Sequence, residues 1–376
     1  MADSTNAANE LSSAGQADAP KPPSLEGAPF GAAHQDRYAR QTLFAGIGAA
    51  GQERISQATV AIVGCGALGT VLANNLARAG VGRVRIADRD YIEANNLQRQ
   101  ILFDEDDIAR GLPKAAAAAE KLRRINSAII VEALVEDITA DSIERFITGA
   151  DVVLDGTDNF ETRYLLNDAC VRAGIPWIYS GVIAAYGVTM TVLPHETACL
   201  RCVFPERPLP GTTPTCDTAG VLNGIVGVIA GMAATEALKL LVGSDRLVRG
   251  MTWVDLWENT FERFEVPRQD DCPTCARGEY AFLDADDAGT GTTLCGRNAV
   301  QVRAPGAGES GGQSRLDLAA LAERLRPVGA VAHNEFLLRL RVDGYEMTVF
   351  PDARAIIKGT DDPAVARSVY ARYIGA

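Results

Sequence analysis

From Thr59 onward the chain alternates between two hydrophobic periods. Thr59-Val60-Ala61-Ile62-Val63 is an unbroken apolar, β-branched run, which predicts a buried strand. A glycine turn follows, then apolar residues at helical spacing from Leu68 to Ala79, then a second strand from Arg83 to Ala87. Further buried strands are expected over Ile129 to Leu134, Val152 to Leu154 and Trp177 to Tyr179. Helices such as Lys114 to Ile125 and Thr162 to Ala173 separate them. Strands alternating with helices predict an α/β fold: a Rossmann-like, mostly parallel sheet with helices on both faces. After Tyr186 the run Val188-Thr189-Met190-Thr191-Val192 predicts an antiparallel extension of that sheet. Val226 to Leu241 reads as a strongly apolar, buried helix broken mainly by Glu236 and Lys239.

Flanking segments lack this periodicity. Residues 1–35 are rich in Ala, Ser, Pro, Gly and Asn and predict a disordered tail. The Pro-rich stretch Phe204 to Pro214 predicts a mobile loop. The α/β domain is expected over 36–284 and a Gly/Thr/Asp-rich linker over 285–294. A small α+β domain follows over 295–376, with strands Ala299 to Val302, Glu335 to Val342 and Tyr345 to Phe350, and helices Leu316 to Arg326 and Pro363 to Ile374.

Composition narrows the function classes. A net charge of −12 with no Lys/Arg block argues against nucleic-acid partners. No apolar run is expected to reach the length that spans a bilayer, and no signal peptide opens the chain, so no membrane partner and a cytoplasmic location are expected. In a reducing compartment the eight cysteines suit metal or thiol chemistry better than disulfides.

Gly64-Cys65-Gly66-Ala67-Leu68-Gly69 is a G-x-G-x-x-G turn between a strand and a helix. The first two glycines permit a tight turn and close approach to phosphates, and the helix N-terminus supplies amide donors. Asp88 follows about 20 residues later at the end of the second strand, where a carboxylate accepts hydrogen bonds from ribose hydroxyls. NAD and ATP both satisfy this arrangement. The residues beyond it favour ATP: Asp90, then Asn95-Asn96-Leu97-Gln98-Arg99-Gln100, place Asn96 and Arg99 at the carboxyl edge of the sheet, and Lys114 opens the next helix. An arginine and a lysine there suit triphosphate oxygens. Asp155-Gly156-Thr157-Asp158-Asn159 closes the fourth strand, where a carboxylate is well placed to hold Mg²⁺. Each of these residues alone is equally well a cap or a surface ion pair.

Cys199-Leu200-Arg201-Cys202 and Cys272-Pro273-Thr274-Cys275 form two C-x-x-C pairs, the usual way to deliver four thiolates to a structural Zn²⁺. The rival is a redox dithiol, which would require two independent motifs. The three histidines, His34, His195 and His333, offer no open catalytic ligand. Cys216 has no such partner and reads either as a reactive thiol or as a partly buried helix-cap cysteine. Cys65 and Cys170 read as packing residues, and Cys295 has no assigned chemistry.

Together, Arg37-Tyr38-Ala39-Arg40-Gln41, the glycine turn, the Asn-Asn-Leu-Gln-Arg-Gln run, Asp158-Asn159, Cys216-Asp217-Thr218-Ala219-Gly220 and the Cys pairs resemble the ThiF/MoeB/HesA family. These relatives of ubiquitin-activating enzymes adenylate sulfur-carrier proteins in thiamin and molybdenum-cofactor biosynthesis. The resemblance runs from about Arg37 to the C-terminus, and the C-terminal extension is similar to the thiazole-type members. It implies ATP at Gly64, Gly66, Ala67 and Gly69, with Asp88 on the ribose. Asn96, Arg99 and Lys114 would contact the phosphates and Asp158 would position Mg²⁺, with Asp90 and Asn159 also in the nucleotide site. It implies a homodimer in which Arg40 serves the partner's site, and a cysteine at Cys216 that in some members attacks the adenylate. The implied partners are a small ubiquitin-like carrier ending in Gly-Gly and, since no rhodanese-type C-x-x-x-x-x-R loop is present, a separate sulfur donor. The segment Asp104 to Pro113 is longer than in shorter members, which bears on Lys114. An NAD-dependent oxidoreductase explains only the glycine turn and Asp88, and a non-catalytic scaffold would have lost the phosphate ligands.

Overall fold

The computed structural model describes residues 37–208, 216–284, 292–294, 298–302 and 316–374. The N-terminal tail, His34, part of the Pro-rich loop, most of the linker and Cys295 lie outside the described residues. The chain divides into a short N-terminal unit, residues 1–40, and a main unit, residues 41–376.

An eight-stranded sheet in the order β3-β2-β1-β4-β5-β6-β7-β8 organises the main unit. Its strands are β1 (Thr59–Val63), β2 (Arg83–Ala87), β3 (Ile130–Leu134), β4 (Val152–Asp155), β5 (Trp177–Ile183), β6 (Tyr186–Val192), β7 (Met251–Asp255) and β8 (Thr260–Phe264). β1 to β5 are parallel and β6 to β8 antiparallel, the sheet expected from the sequence. Successive side chains of a strand point to opposite faces, so a sheet covered on both sides reads as continuous apolar runs. Val60, Ile62, Ile86 and Leu154 enter one core with the helices Ala67–Ala79, Lys114–Ile125 and Asn223–Val242. Ala61, Val63, Ala87, Val153 and Trp177 enter the other with Ala140–Ile147 and Phe160–Ala173.

Asn223–Val242 corrects one expectation. It starts earlier than the sequence pattern suggests, and with a hydropathy of 1.8 this 20-residue helix is by length and composition able to cross a membrane. Here its inner face, including Ile225, Val226, Ile229, Ala233 and Ala237, packs into the core. The buried Glu236 accepts hydrogen bonds from Val248 N at 2.9 Å and Thr191 Oγ1 at 3.3 Å and pairs with Lys239 at 2.5 Å. The helix therefore packs one face against the sheet and leaves the other, with Gly224, Val228 and Thr235, exposed.

A second sheet forms the C-terminal part, six antiparallel strands in the order β11-β12-β13-β14-β10-β9. These are β9 (Thr292–Leu294), β10 (Ala299–Val302), β11 (Ala330–His333), β12 (Leu338–Val342), β13 (Tyr345–Val349) and β14 (Ala355–Lys358). β9 falls at the end of the stretch read as linker and pairs with β10. Helices Leu318–Leu325 and Pro363–Tyr373 cover one face over Val300, Leu338, Leu340, Met347 and Val349. The opposite face brings Ala299 and Ile356 against Tyr91, just beyond the carboxyl end of β2.

Candidate active site

The strand order reverses between β1 and β4, and at such a switch point the carboxyl ends of parallel strands leave a crevice for ligands. The glycine turn sits there. Gly64 has φ +88°, and a Cβ on it would meet Gly156 O at 2.6 Å. A Cβ on Gly69 would meet Gly64 O at 2.0 Å, and one on Gly156 would meet the same oxygen at 2.5 Å. These three glycines are required by the protein's own packing. Gly66 is not: its Cβ would find nothing nearer than Gly156 O at 3.9 Å and Gln100 Nε2 at 4.0 Å. That open space lies at the N-cap of the helix Ala67–Ala79, beside Ala67, where backbone amides and the helix dipole favour an anion.

Asp88 ties the turn to β2. Its Oδ2 accepts from Cys65 N at 2.6 Å and its Oδ1 from Asp90 N at 2.7 Å, and both oxygens keep lone pairs for further donors. Burial raises its pKa above the usual carboxylate value, with Lys114 pulling the other way. Burial, then the Asp88 charge, pushes the Cys65 thiol well up, in keeping with a packing role. Lys114, its side chain 5% exposed, places Nζ 3.2 Å from Asp90 Oδ2. The Asp104–Pro113 segment leads up to Lys114. It folds into the short helix Glu105–Ala109, capped by Asp104 and gripped by Lys121 through Asp104 and Asp107. The chain then returns along β2's continuation, with Tyr91 bridged to Pro113 and Lys114 N donating to Asp90 O at 2.9 Å.

Asn96 lies in a single 3-10 turn, Ala94–Asn96, and its side chain is committed locally. Its Oδ1 accepts from Glu93 N at 2.9 Å while its Nδ2 donates to Asn95 Oδ1 at 2.8 Å. Arg99, half-buried, donates from Nη1 to Asn95 O at 2.8 Å. The next residue, Gln100, carries no role in the sequence reading. It is buried beside Gly66, and its Oε1 has no hydrogen-bond partner among the described residues. An orphaned buried acceptor at the mouth of a glycine turn is open to a water or to a ligand.

At the end of β4, Asp155 is fully buried. Its Oδ1 accepts from Thr157 N at 2.8 Å and Thr157 Oγ1 at 2.7 Å, and its Oδ2 from Arg163 Nε at 3.0 Å. Arg163 also donates to Thr157 O at 2.8 Å and Ser180 O at 3.1 Å, locking the ends of β4 and β5 together. Burial pulls its pKa down, but Asp155, with Tyr179 and Asp158, leaves it raised. Asn159 caps the helix Phe160–Ala173, accepting from Thr162 N at 2.8 Å. Between these fixed groups Asp158 is exposed, and its carboxylate makes no hydrogen bond or ion pair among the described residues. Arg89, on the β2 end, and Arg163 both feel its charge. Gly156, Gln100, Arg163 and Arg89 are the site residues that sequence reasoning left without roles. Gly156 and Arg89 act on partners distant in sequence and Arg163 joins two strand ends, so no motif spacing announces them.

The four metal-type cysteines converge. Cys199, Cys202, Cys272 and Cys275 are all buried, with sulfur atoms within 4.8 Å of one another. Individual separations are 3.5 Å for Cys202–Cys275, 3.6 Å for Cys199–Cys272 and 4.0 Å for Cys199–Cys202. A tetrahedron of Zn–S bonds of about 2.3 Å requires sulfurs about 3.8 Å apart, whereas a disulfide needs about 2 Å. The donor set fits Zn²⁺. Its surroundings reach the helix Phe160–Ala173: Thr274 Oγ1 donates to the buried Asp168 at 2.8 Å, and Leu200 N donates to Asn167 at 2.9 Å. Cys216 lies at the carboxyl edge of β5, its thiol 3.6 Å from Val182 O. Arg40 belongs to the N-terminal unit and is exposed.

The ThiF family model matches residues 38–274, from before the glycine turn to the second cysteine pair. The chain belongs to the ThiF family. A Bacillus subtilis relative, sulfur carrier protein ThiS adenylyltransferase, is 46% identical over 346 residues, 90% of this chain and 99% of its own length. The Escherichia coli protein of the same name is 38% identical, and 64% of this ThiF-family chain spans 94% of it. The crystal structure of E. coli MccB with MccA-N7isoASN shares the fold, with a TM-score of 0.57 and 24% identity over 64% of this chain and 74% of that one.

Proposed function

We propose that this ThiF-family chain is an ATP-dependent adenylyltransferase that activates the C-terminal Gly-Gly carboxylate of a small ubiquitin-like sulfur-carrier protein, serving thiamin thiazole formation. The observation that carries the reading is the crevice at the β1–β4 switch point. It has an open N-cap at Gly66, an orphaned Gln100 and an exposed, unpaired Asp158 whose charge reaches Arg89 and Arg163. A carboxylate oxygen of the carrier attacks the α-phosphorus of ATP, the bond from that phosphorus to the bridging oxygen breaks, and pyrophosphate leaves with the electron pair. The product is an acyl-adenylate. The carboxylate is a weak nucleophile, so the site must place it in line and neutralise charge on the phosphates. Asp88 orients the ribose, amides at Gly66 and Ala67 receive phosphate oxygens, and Arg99 and Lys114 supply positive charge. Asp158, with Asn159 beside it, is the group that would hold Mg²⁺, which when bound offsets the negative charge of the triphosphate.

The four-cysteine cluster supplies structure, holding Zn²⁺ away from the reacting atoms. Exposed Trp257, Phe261 and Phe264 on the β7–β8 hairpin offer an apolar surface to the carrier. A homodimer, with Arg40 serving the partner's site, and a cytoplasmic location complete the proposal. Sulfur reaches the activated carrier from a separate donor. Carrier-dependent pyrophosphate exchange tests it. Arg99→Ala and Asp158→Ala should each lower exchange by about 10²-fold or more with the circular dichroism spectrum unchanged. Full activity in both variants would remove the site assignment. Cys216→Ser should leave exchange intact and abolish any reductant-sensitive link to the carrier. Running thiamin-type and molybdopterin-type carriers side by side distinguishes the two pathways.

A further inference from the structure

We propose that the C-terminal α+β part is a brace on the nucleotide site, with Arg354 as a positioning residue that fixes the course of the main chain between Asp88 and Asp90. The inference rests on the reading that ATP binds at the glycine turn. Three segments that carry phosphate contacts are each tied by a side chain of the C-terminal sheet or its loops.

Arg354, in the turn before β14, is fully buried, and both of its Nη atoms donate to Arg89 O, at 3.2 and 3.3 Å. Its guanidinium carbon stands 3.9 Å from the Phe350 ring centroid, and Asp352 lies 3.5 Å from its Nε. Gln301 on β10 accepts from Arg354 Nη1 at 3.3 Å and donates to Asp137 Oδ2 at 3.1 Å. The same Asp137 oxygen receives Arg89 Nη1 at 2.6 Å. Main chain and side chain of Arg89 are thus both held from the C-terminal sheet. The second tie is Lys358, paired with Glu93, the N-cap of the 3-10 turn that presents Asn96 and Arg99. The third is Asn334, whose Nδ2 donates to Arg110 O and Gly111 O, each at 3.0 Å, on the return path that delivers Lys114. Tyr91 fills the space between, with Arg339 4.4 Å and Lys358 5.3 Å from its ring centroid.

Burying a guanidinium is costly unless its donors are used. Here two of them converge on one backbone carbonyl flanked by the ribose and phosphate residues, which spends the interaction on geometry. The family match ends at residue 274, before the C-terminal sheet, so the brace is proposed to adjust ATP affinity and not to create it.

Calorimetric titration of Mg-ATP and steady-state pyrophosphate exchange on full-length variants test the proposal. Lys358→Met with Asn334→Ala, and separately Arg354→Met, should raise the Kd and KM for ATP about 10-fold with kcat little changed. Restoring a cation with Lys358→Arg should recover most of the affinity. Should Arg354→Met fail to fold, the half-exposed pair Lys358 and Asn334 carries the test alone. Unchanged Kd and KM in that folded double variant overturn the brace, as does a loss of kcat and Tm with no change in KM. A wild-type chain that binds no ATP overturns the nucleotide reading and the brace with it.

Discussion

Gly66 and Gly69 stand three positions apart in one turn and answer to different masters. Gly69 lacks a Cβ because one would collide with Gly64 O at 2.0 Å, while Gly66 lacks one beside open space. Gly69→Ala should therefore destabilise the fold by about 3 kcal/mol, read as a lowered urea midpoint. Gly66→Ala should fold normally and weaken ATP binding about tenfold, or 1.4 kcal/mol. Equal effects on both measurements would show that the space at Gly66 has no ligand. Asp88 gives a second prediction at this scale. Its folded pKa is raised by burial above the ordinary value of about 3.9. Its contribution to stability is therefore fully present below the unfolded pKa and is lost as pH rises through the folded one. Nucleotide binding has the opposite slope, because the ionised carboxylate is what receives ribose hydroxyls. ATP affinity should fall as pH is lowered through the raised pKa, and Asp88→Asn should flatten that limb. An unflattened profile would assign the titration to the nucleotide instead.

Elements, more than residues, decide what was legible before the structure. The glycine turn and the C-x-x-C pairs are local patterns whose spacing states their geometry, and both read through. The strands β7 and β14 are short. β7 alternates, with Thr252 and Val254 buried, but follows a Gly/Ser/Asp-rich segment, and β14 is four residues long. Periodicity over so few positions does not separate strand from loop. Arg163 and Arg354 stand in no motif of the sequence, because their partners, Ser180 O and Arg89 O, are set by tertiary packing. The four-cysteine cluster joins elements in the same way: Asn167 and Asp168 bind the loops around both cysteine pairs, and their helix is capped by Asn159, next to Asp158. Cys272→Ser should lose the bound zinc, measured by atomic absorption, and lower Tm by about 10 °C for a loss of about 4 kcal/mol. A metal-free variant that melts with the wild type would remove the structural role.

The whole molecule raises the question posed by Asn223–Val242, a helix apolar enough to span a bilayer. To do so it would have to leave the sheet and uncover Ile225, Val226, Ile229, Ala230 and Ala233, together with the sheet residues they cover. Neither loss would be large in lipid for the helix itself, since its apolar side chains would stay buried. The sheet would suffer, because Ile178 and Leu154 would lose their cover while still in water. At about 25 cal/mol per Å², exposing even a few fully buried aliphatic side chains costs about 1.5–3 kcal/mol each. Glu236 and Lys239 add a second cost, about 2.5–3.5 kcal/mol for a charged residue near the centre of a spanning helix. Withdrawing Glu236 would also leave Val248 N without its acceptor. The internal placement therefore wins by several interactions at once. The full-length chain should stay in the supernatant after cell breakage and ultracentrifugation without detergent. Glu236→Ala should lower stability by about 1–3 kcal/mol, because Val248 N and Lys239 lose a buried partner. Recovery of the wild-type chain only from a detergent extract of the pellet would reverse the assignment of that helix and the proposed cytoplasmic location with it.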